Sequence, residues 1–465
     1  MKKLMLVAAV LVSGLIACSS PGNSEFGNET PGSESLRETT NEADATPPNS
    51  DLALAAAPWA GVKVAFNDPN EFESGAGVAA DLAGNLYVTG TSSTGIKQPS
   101  GYYDLKPAKT VLTKLDPSGA KLWTRTLSVL NRAVAATGIV TDPSGNVYVA
   151  GFANAALNTQ PYIGNRDAFL VKYNPSGSVV WTREIGGVGD DGVTGIAING
   201  TNIYLTGYAC GDGQNFAGKT IRGACDVFVV KYESSGNRLW AKLYGSSLSE
   251  LAAKIAKVTT GGAVFVGTYQ GALNPSGSYG LNPNGFVTRI DPNGNVIWSR
   301  TISSDPSPRN NANAVAVSSD AIYVGGYDGV TGFLTKLNYA GTGQWTRLVG
   351  YLSPQFDTLS SISDLQVAAD GQVYALGAQS YRIPFAYRIC GDAPWPLRYD
   401  ASGNISATNT TSQFSGCTAR ALTVRADSVF VMQNNAPALT DAPIPQKPFE
   451  DNISVGKFSF DLKLR

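Results

Sequence analysis

Histidine is absent from the 465 residues, which removes both the commonest general base near neutral pH and the commonest metal ligand. A Ser-His-Asp triad is excluded, so catalysis would have to draw on carboxylates, tyrosine, lysine or a bound metal. Charge is also scarce: 35 Lys and Arg stand against 36 Asp and Glu, a formal net charge of −1. No block of like charge occurs, so the electrostatic footprint that nucleic-acid binding demands is missing. A phosphate loop of the GxxxxGK type is missing too. What the chain has in quantity is turn formers, 51 Gly and 25 Pro. That composition suits many short strands joined by tight turns and disfavours long helices.

The chain opens with Lys2 and Lys3, followed by an apolar run over residues 4–17 that is too short to span a bilayer. The run ends in Leu15-Ile16-Ala17-Cys18, which resembles the bacterial lipobox. Residues 1–17 are therefore expected to be a lipoprotein signal peptide, with Cys18 as the lipid attachment site. Residues 18–57, rich in Ser, Pro, Gly, Asn, Thr and Glu, read as a disordered tether because they cannot bury enough apolar surface to fold. Ser19 stands where an Asp often retains lipoproteins in an inner membrane, which points to an outer membrane or the cell surface. Four cysteines remain, in two near pairs: Cys210 with Cys225, and Cys390 with Cys417. In an oxidising compartment these read as two disulfides, and zinc binding by such scattered thiols is the weaker reading.

From residue 58 the chain repeats. An apolar–aromatic–apolar triplet recurs as Leu86-Tyr87-Val88, Val147-Tyr148-Val149, Ile203-Tyr204-Leu205, Val264-Phe265-Val266, Ile322-Tyr323-Val324, Val373-Tyr374-Ala375 and Val429-Phe430-Val431. The spacing accommodates four short strands and their turns, so each repeat reads as one four-stranded sheet. In the second copy the strands are Gly138-Ile139-Val140, residues 147–151, Ala168 to Tyr173, and a strand carrying Trp181. The turns between them are Asp142-Pro143-Ser144-Gly145-Asn146 and Asn174-Pro175-Ser176-Gly177. The outer-strand tryptophan recurs in register as Trp123, Trp181, Trp240, Trp298 and Trp345, whereas the sixth copy has Ala407. The seventh copy lacks a fourth strand, and Trp59-Ala60-Gly61-Val62-Lys63-Val64 can supply it. Residues 58–465 are thus expected to form an all-β, single seven-bladed β-propeller, a ring closed by the N-terminal strand completing the last blade.

The first of those turns, the strand Val147-Tyr148-Val149-Ala150-Gly151 and the segment Asp167-Ala168-Phe169-Leu170-Val171-Lys172-Tyr173 before Trp181 resemble the bacterial SBBP β-propeller repeat. The resemblance implies a propeller in an extracytoplasmic bacterial protein and transfers no catalytic residues. Beside it, the aromatic of each triplet reads as packing between blades. The recurring Lys114, Lys172, Lys231, Arg289, Lys336, Arg398 and Lys457 read as stems covering apolar surface rather than as an anion-binding ring. Asp190-Asp191-Gly192 reads as a solvated turn, since the spaced oxygen ligands of a calcium loop are missing.

Strand alternation puts the tight turns on one face and the variable loops, at residues 91–108, 152–166, 208–225, 268–284 and 378–394, on the other. Variable loops on a rigid scaffold are where binding usually resides, and all four paired cysteines fall there. Candidate contacts on that face are Tyr102, Tyr103, Tyr162, Arg166, Arg222, Tyr279, Tyr381 and Arg382. The leading functional expectation is a monomeric binding or scaffolding lipoprotein for an envelope protein or glycan, with no cofactor and no metal. An analogue of architecture is the propeller lipoprotein of the outer-membrane barrel assembly machinery. The alternative is an extracytoplasmic enzyme using the central channel, such as a quinoprotein dehydrogenase or a polysaccharide lyase.

Overall fold

The computed structural model describes residues 62–63, 72–93, 96–97, 103–104, 107–270, 284–302, 310–329, 331–349, 357–382, 395–408, 418–425, 428–435 and 452–459. Among them the structure is all-β, with seven four-stranded antiparallel sheets, numbered here in chain order, and two small hairpins. The innermost strands, A, are Phe72–Ala80, Val134–Thr141, Asp191–Asn199, Glu250–Lys257, Asn311–Val317, Asp357–Val367 and Thr418–Arg425. The B strands are Leu86–Ser93, Val147–Ala153, Asn202–Cys210, Ala263–Tyr269, Ala321–Tyr327, Val373–Arg382 and Ser428–Asn435. The C strands are Ala108–Leu115, Asp167–Tyr173, Cys225–Glu233, Asn284–Ile290, Gly332–Asn338, Trp395–Tyr399 and Asn452–Ser459. Sheets 1 to 6 end in D strands Lys121–Leu127, Val179–Ile185, Arg238–Tyr244, Val296–Thr301, Gly343–Val349 and Ile405–Thr408. In sheet 7 the D position is taken by Val62–Lys63, paired antiparallel with the C strand through Val62↔Val455 and Lys63↔Ser454.

The Asp-Pro-Ser-Gly turns form for a local reason. In the A–B turn of sheet 2, Asp142 Oδ1 accepts the N–H groups of Ser144 and Asn146, and Gly145, at φ 78°, returns its N–H to the Asp142 carbonyl. Glycine adopts that left-handed conformation without the steric cost a Cβ would bring. The aromatic of the following B strand then reports to the same carboxylate: Tyr148 donates to Asp142 Oδ2 at 3.0 Å, as Tyr87 does to Asp81 Oδ2 at 3.1 Å. All seven B-strand aromatics are buried, none more than 5% exposed.

The apolar core is divided among the gaps between sheets. One cluster joins Tyr87 and Leu112 of sheet 1 to Val149 and Phe169 of sheet 2, and corresponding clusters fill the following gaps. Another joins Val78, Leu86 and Val88 of sheet 1 to Ala421, Phe430, Met432 and Val455 of sheet 7.

Beyond the core, each of sheets 1 to 5 grips the next through a polar clasp. Lys172 Nζ, 5.3 Å from the Tyr148 ring, donates to the Ser234 carbonyl at 3.0 Å; Trp181 Nε1 donates to the same oxygen, and Arg183 Nε to Gly236 O at 2.7 Å. Lys114 with Trp123, Lys231 with Trp240, Arg289 with Trp298, and Lys336 with Trp345 repeat the arrangement on Pro175, Pro292, Tyr339 and Ala401. The C-strand cations therefore do more than cover apolar surface: in five sheets they donate to backbone carbonyls of the neighbouring sheet's turn. In sheet 6, Arg398 faces Ala407 in register, and its Nε donates to Ser406 Oγ.

Every A strand carries one bulge at the same register. The residue after the bulge is Gly77, Gly138, Gly195, Ala314 or Ala421 in five sheets, but Lys254 in sheet 4 and Asp364 in sheet 6. Small residues suit the position because the innermost strands nearly touch there. A Cβ on Gly77 would lie 2.8 Å from Ile139 Cγ2, and one on Gly195 would lie 3.0 Å from the Lys254 Cα.

Candidate functional site

At the long-loop end of sheets 2 to 4, a cross-linked loop stands over the sheet junctions. Cys210 closes the B strand of sheet 3, Cys225 opens its C strand, and the two are register partners joined by a disulfide. Residues 211–224 between them contain the hairpin Asn215–Phe216 paired with Lys219–Thr220. Its turn uses Ala217 at φ 51° and Gly218 at φ 85°. Phe216 is fully buried and stacks on Phe228 at 4.8 Å, and its backbone bridges to Gly187 in the preceding D–A loop. The loop is thus held at its base by a covalent bond and at its tip by an aromatic anchor, leaving Lys219, Thr220 and Arg222 exposed.

Beneath it lie two pairs of buried carboxylates. Parallel bridges Arg166↔Asp190 and Cys225↔Ser249 bring the starts of a C strand and of the next A strand together. The next residues along, Asp167 with Asp191 and Asp226 with Glu250, are each 0% exposed. Backbone amides serve them: Ile163 and Gly164 donate to Asp167, Gly187 donates to Asp191 Oδ2 at 2.5 Å, and Arg222 donates to Asp226 Oδ2 at 3.2 Å. Ser246 donates through its N–H and its hydroxyl to Glu250. Asp191 Oδ1 and Asp226 Oδ1 are buried with no hydrogen-bond partner, as is Glu184 Oε1 nearby. Glycines make room for the carboxylates, since a Cβ on Gly186 would fall 2.3 Å from Asp167 Oδ1 and one on Gly245 would fall 2.4 Å from Asp226 Oδ1.

Burial sets the electrostatics of this cluster. Loss of water pushes Asp191 up to about 7, with the charges of Asp167 and Asp190 adding to the effect and the Gly187 N–H opposing it. Glu184 is pushed up to about 7 by burial first and Asp167 last, against the Leu157 N–H. Asp167, Asp226 and Glu250 are raised in the same way, burial leading. Asp191 and Glu184 can therefore hold protons near neutral pH. Among the described residues no group of three or more Asp, Glu, Cys or His side chains is placed to hold a metal ion.

Asp190-Asp191 is accordingly no solvated turn. Asp191 belongs to an A strand and is sealed under the loop, and Asp190 forms an ion pair with Arg166 at 3.0 Å. Arg166, a candidate contact from sequence, is committed to that pair and lies 5.1 Å from the Phe152 ring. Tyr162 donates to the Asn165 carbonyl at 2.7 Å, and Arg222 stays exposed beside the cross-linked loop. Tyr381 and Arg382 sit not in a loop but in the B strand of sheet 6, opposite Thr358 and Asp357. Tyr103 lies in a two-residue strand opposite Lys97. Tyr102, Tyr279, Cys18, Cys390, Cys417 and Trp59 lie outside the described residues. The buried acids were missed by sequence reading, although Asp167 and Asp226 stand at one offset from Trp181 and Trp240, a periodicity that could have found them.

The sequence model of a family described as outer membrane protein assembly factor BamB matches residues 108–383. The chain belongs to this family. The match to BamB runs from the C strand of sheet 1 to the end of the B strand of sheet 6, so the stacked sheets are those of a β-propeller. Proteins of the BamB type are extracytoplasmic, and the Cys210–Cys225 disulfide accords with that compartment. An uncharacterized WD repeat-containing protein, L264, of Acanthamoeba polyphaga mimivirus is 23% identical over 425 residues, covering 71% of this chain and 28% of the viral protein. The regulatory protein FlaEY of Caulobacter vibrioides is 24% identical over 220 residues, 43% of this chain and 22% of its own. The chain therefore spans about a quarter of the length of these curated relatives. Among solved structures, a Dos1 propeller is similar at a TM-score of 0.44 with 8% identity, over 87% of this chain and 95% of that one.

Proposed function

We propose that the chain is a cell-envelope lipoprotein acting as a binding or scaffolding propeller, which presents its long-loop end to a protein or glycan partner. In this reading residues 1–17 are the signal peptide, Cys18 carries the lipid, residues 18–57 are the tether, and residues 58–465 form the propeller of SBBP-type repeats. Its seven sheets close as seven blades, with the strand containing Val62 completing the last. Supporting closure are the pairing of Val62 with Val455 and the apolar cluster between sheets 7 and 1.

The observation that carries the binding role is the disulfide-clamped, Phe216-anchored loop with Lys219, Thr220 and Arg222 displayed on it. A pre-ordered loop loses little conformational freedom on binding, which favours recognition. The assembly-factor description of the BamB family supports a scaffolding role over a catalytic one.

The test is a pull-down from envelope extract with the full chain and with a Lys219→Ala, Arg222→Ala variant, followed by mass spectrometry of proteins and glycans. A partner retained by the parent and lost by the variant supports the reading. A partner set unchanged by the variant rejects the loop as the binding element. For the anchor, Cys18→Ser should abolish palmitate labelling and release the protein from the membrane fraction; labelling that persists rejects Cys18 as the lipid site.

A further inference from the structure

The two charged residues at the bulge register of the innermost strands have no counterpart in the other five sheets. Where those sheets use glycine or alanine to let neighbouring strands approach, Lys254 and Asp364 place ionisable side chains.

Asp364 shows what the position offers a carboxylate. Its Oδ2 accepts the Leu422 N–H of the next A strand at 2.9 Å. That amide is an edge donor, and Val424 two residues on likewise gives its N–H to a side chain, the Gln366 Oε1, rather than to its own sheet. In sheet 5 the residue at the Leu422 register is Val315, one beyond Ala314, so its N–H has the same edge orientation toward the preceding sheet, where the bulge residue is Lys254 and no carboxylate is offered.

Lys254 lies one sheet before Ala314. It is half-buried, and among the described residues it has neither a hydrogen-bond acceptor nor a carboxylate within 4.0 Å, though its charge is felt at Asp364. An ammonium partly withdrawn from water calls for an acceptor.

We propose that the inner edge of sheets 4 to 6 binds a small carboxylate-bearing molecule, held by Lys254 Nζ and the Val315 N–H as Asp364 is held by Leu422. Asp364, on the far side of Ala314, adds a preference for a ligand that also carries an ammonium group, the chemistry of a free amino acid or of a short peptide. This site is separate from the loop end and stands or falls independently of it.

The experiment titrates the full chain by calorimetry with four probes: acetate, glycine, triglycine and glycinamide. Glycine is expected to bind with a Kd of about 1 mM, acetate more weakly and glycinamide not at all. Triglycine distinguishes a site that accepts peptides from one confined to free amino acids. Lys254→Met should weaken glycine roughly tenfold or more, the loss expected for a charged hydrogen bond. Lys254→Arg should retain binding, and Lys257→Met, at the exposed end of the same strand, should match the parent. Asp364→Asn should weaken glycine but leave acetate unchanged. Thermal melts check that each variant is folded, and Lys254→Met removes no hydrogen bond of the described residues. Failure of all probes to bind at about 100 mM, some hundredfold above the expected Kd, or equal binding by Lys254→Met, overturns the proposal.

Discussion

Asp191→Asn should stabilise the protein, and by more at pH 8 than at pH 5. Asp191 is fully buried and its carboxyl is pushed up to about 7, whereas in the unfolded chain it titrates near 3.9. Between those values the folded state holds a proton that the unfolded state has lost. Stability from this group therefore falls as pH climbs from about 4 to about 7 and is level above that. At about 1.36 kcal/mol per unit, the cost relative to a neutral side chain is about 1.5 kcal/mol at pH 5 and about 4 kcal/mol at pH 8. Asparagine keeps the size and an oxygen for the Gly187 N–H, and it carries no charge. Its advantage over aspartate should thus widen by about 2.5 kcal/mol across that interval. Urea unfolding followed by tryptophan fluorescence at pH 5, 6, 7 and 8, with the disulfide intact, measures it; comparing variant with parent at each pH cancels the other titrating groups. A gap that stays constant with pH, or an asparagine variant less stable at pH 8, would refute the assignment of a neutral Asp191.

Lys172→Met keeps the apolar stem but loses the bond to Ser234 and the contact with the Tyr148 ring; chemical denaturation should show a loss of about 1–3 kcal/mol. Gly245→Ala places a methyl 2.4 Å from Asp226 Oδ1 and 2.9 Å from Glu250 Oε2, and should cost about 2 kcal/mol in the same assay. Gly343→Ala, where nothing lies within 4 Å of the new Cβ, should fall within about 0.5 kcal/mol of the parent. Opening the Cys210–Cys225 bridge, whose ends are 15 residues apart, should cost about 3 kcal/mol in the chain-entropy account and raise hydrogen exchange over residues 211–224 first.

The strand order was legible because each signal for it is local. A Pro-Gly turn, an alternating strand and an aromatic at a fixed offset follow one another within a few residues, and the B-strand triplets all fell on B strands. The buried acids were not legible in that way. Asp191 is sealed by a bridge between Arg166 and Asp190 and by a loop that begins at Cys210, contacts no local pattern encodes. Lys254 and Asp364 escaped for a different reason. The bulge that marks their position is a pairing irregularity without a signature in the local sequence, so their equivalence to Gly77 or Ala314 emerges only when register and bulge are seen. Tyr381 and Arg382 were misplaced because the polar run after the sixth triplet reads as loop, whereas pairing with Asp357 and Thr358 extends the strand through them.

The clasp between sheets also has a direction. In sheets 1 to 5 the basic side chains and the tryptophan reach forward, from one sheet to the turn of the next, so a nascent sheet leaves the ribosome without its own grip and is seized by the one made before it. Folding can therefore follow synthesis as a ratchet in which each arrival is secured at once by its elder. The sixth sheet, with Ala407 in the tryptophan's place, is the tooth at which that ratchet slips, and a mechanical pull on the chain should find its first yield there.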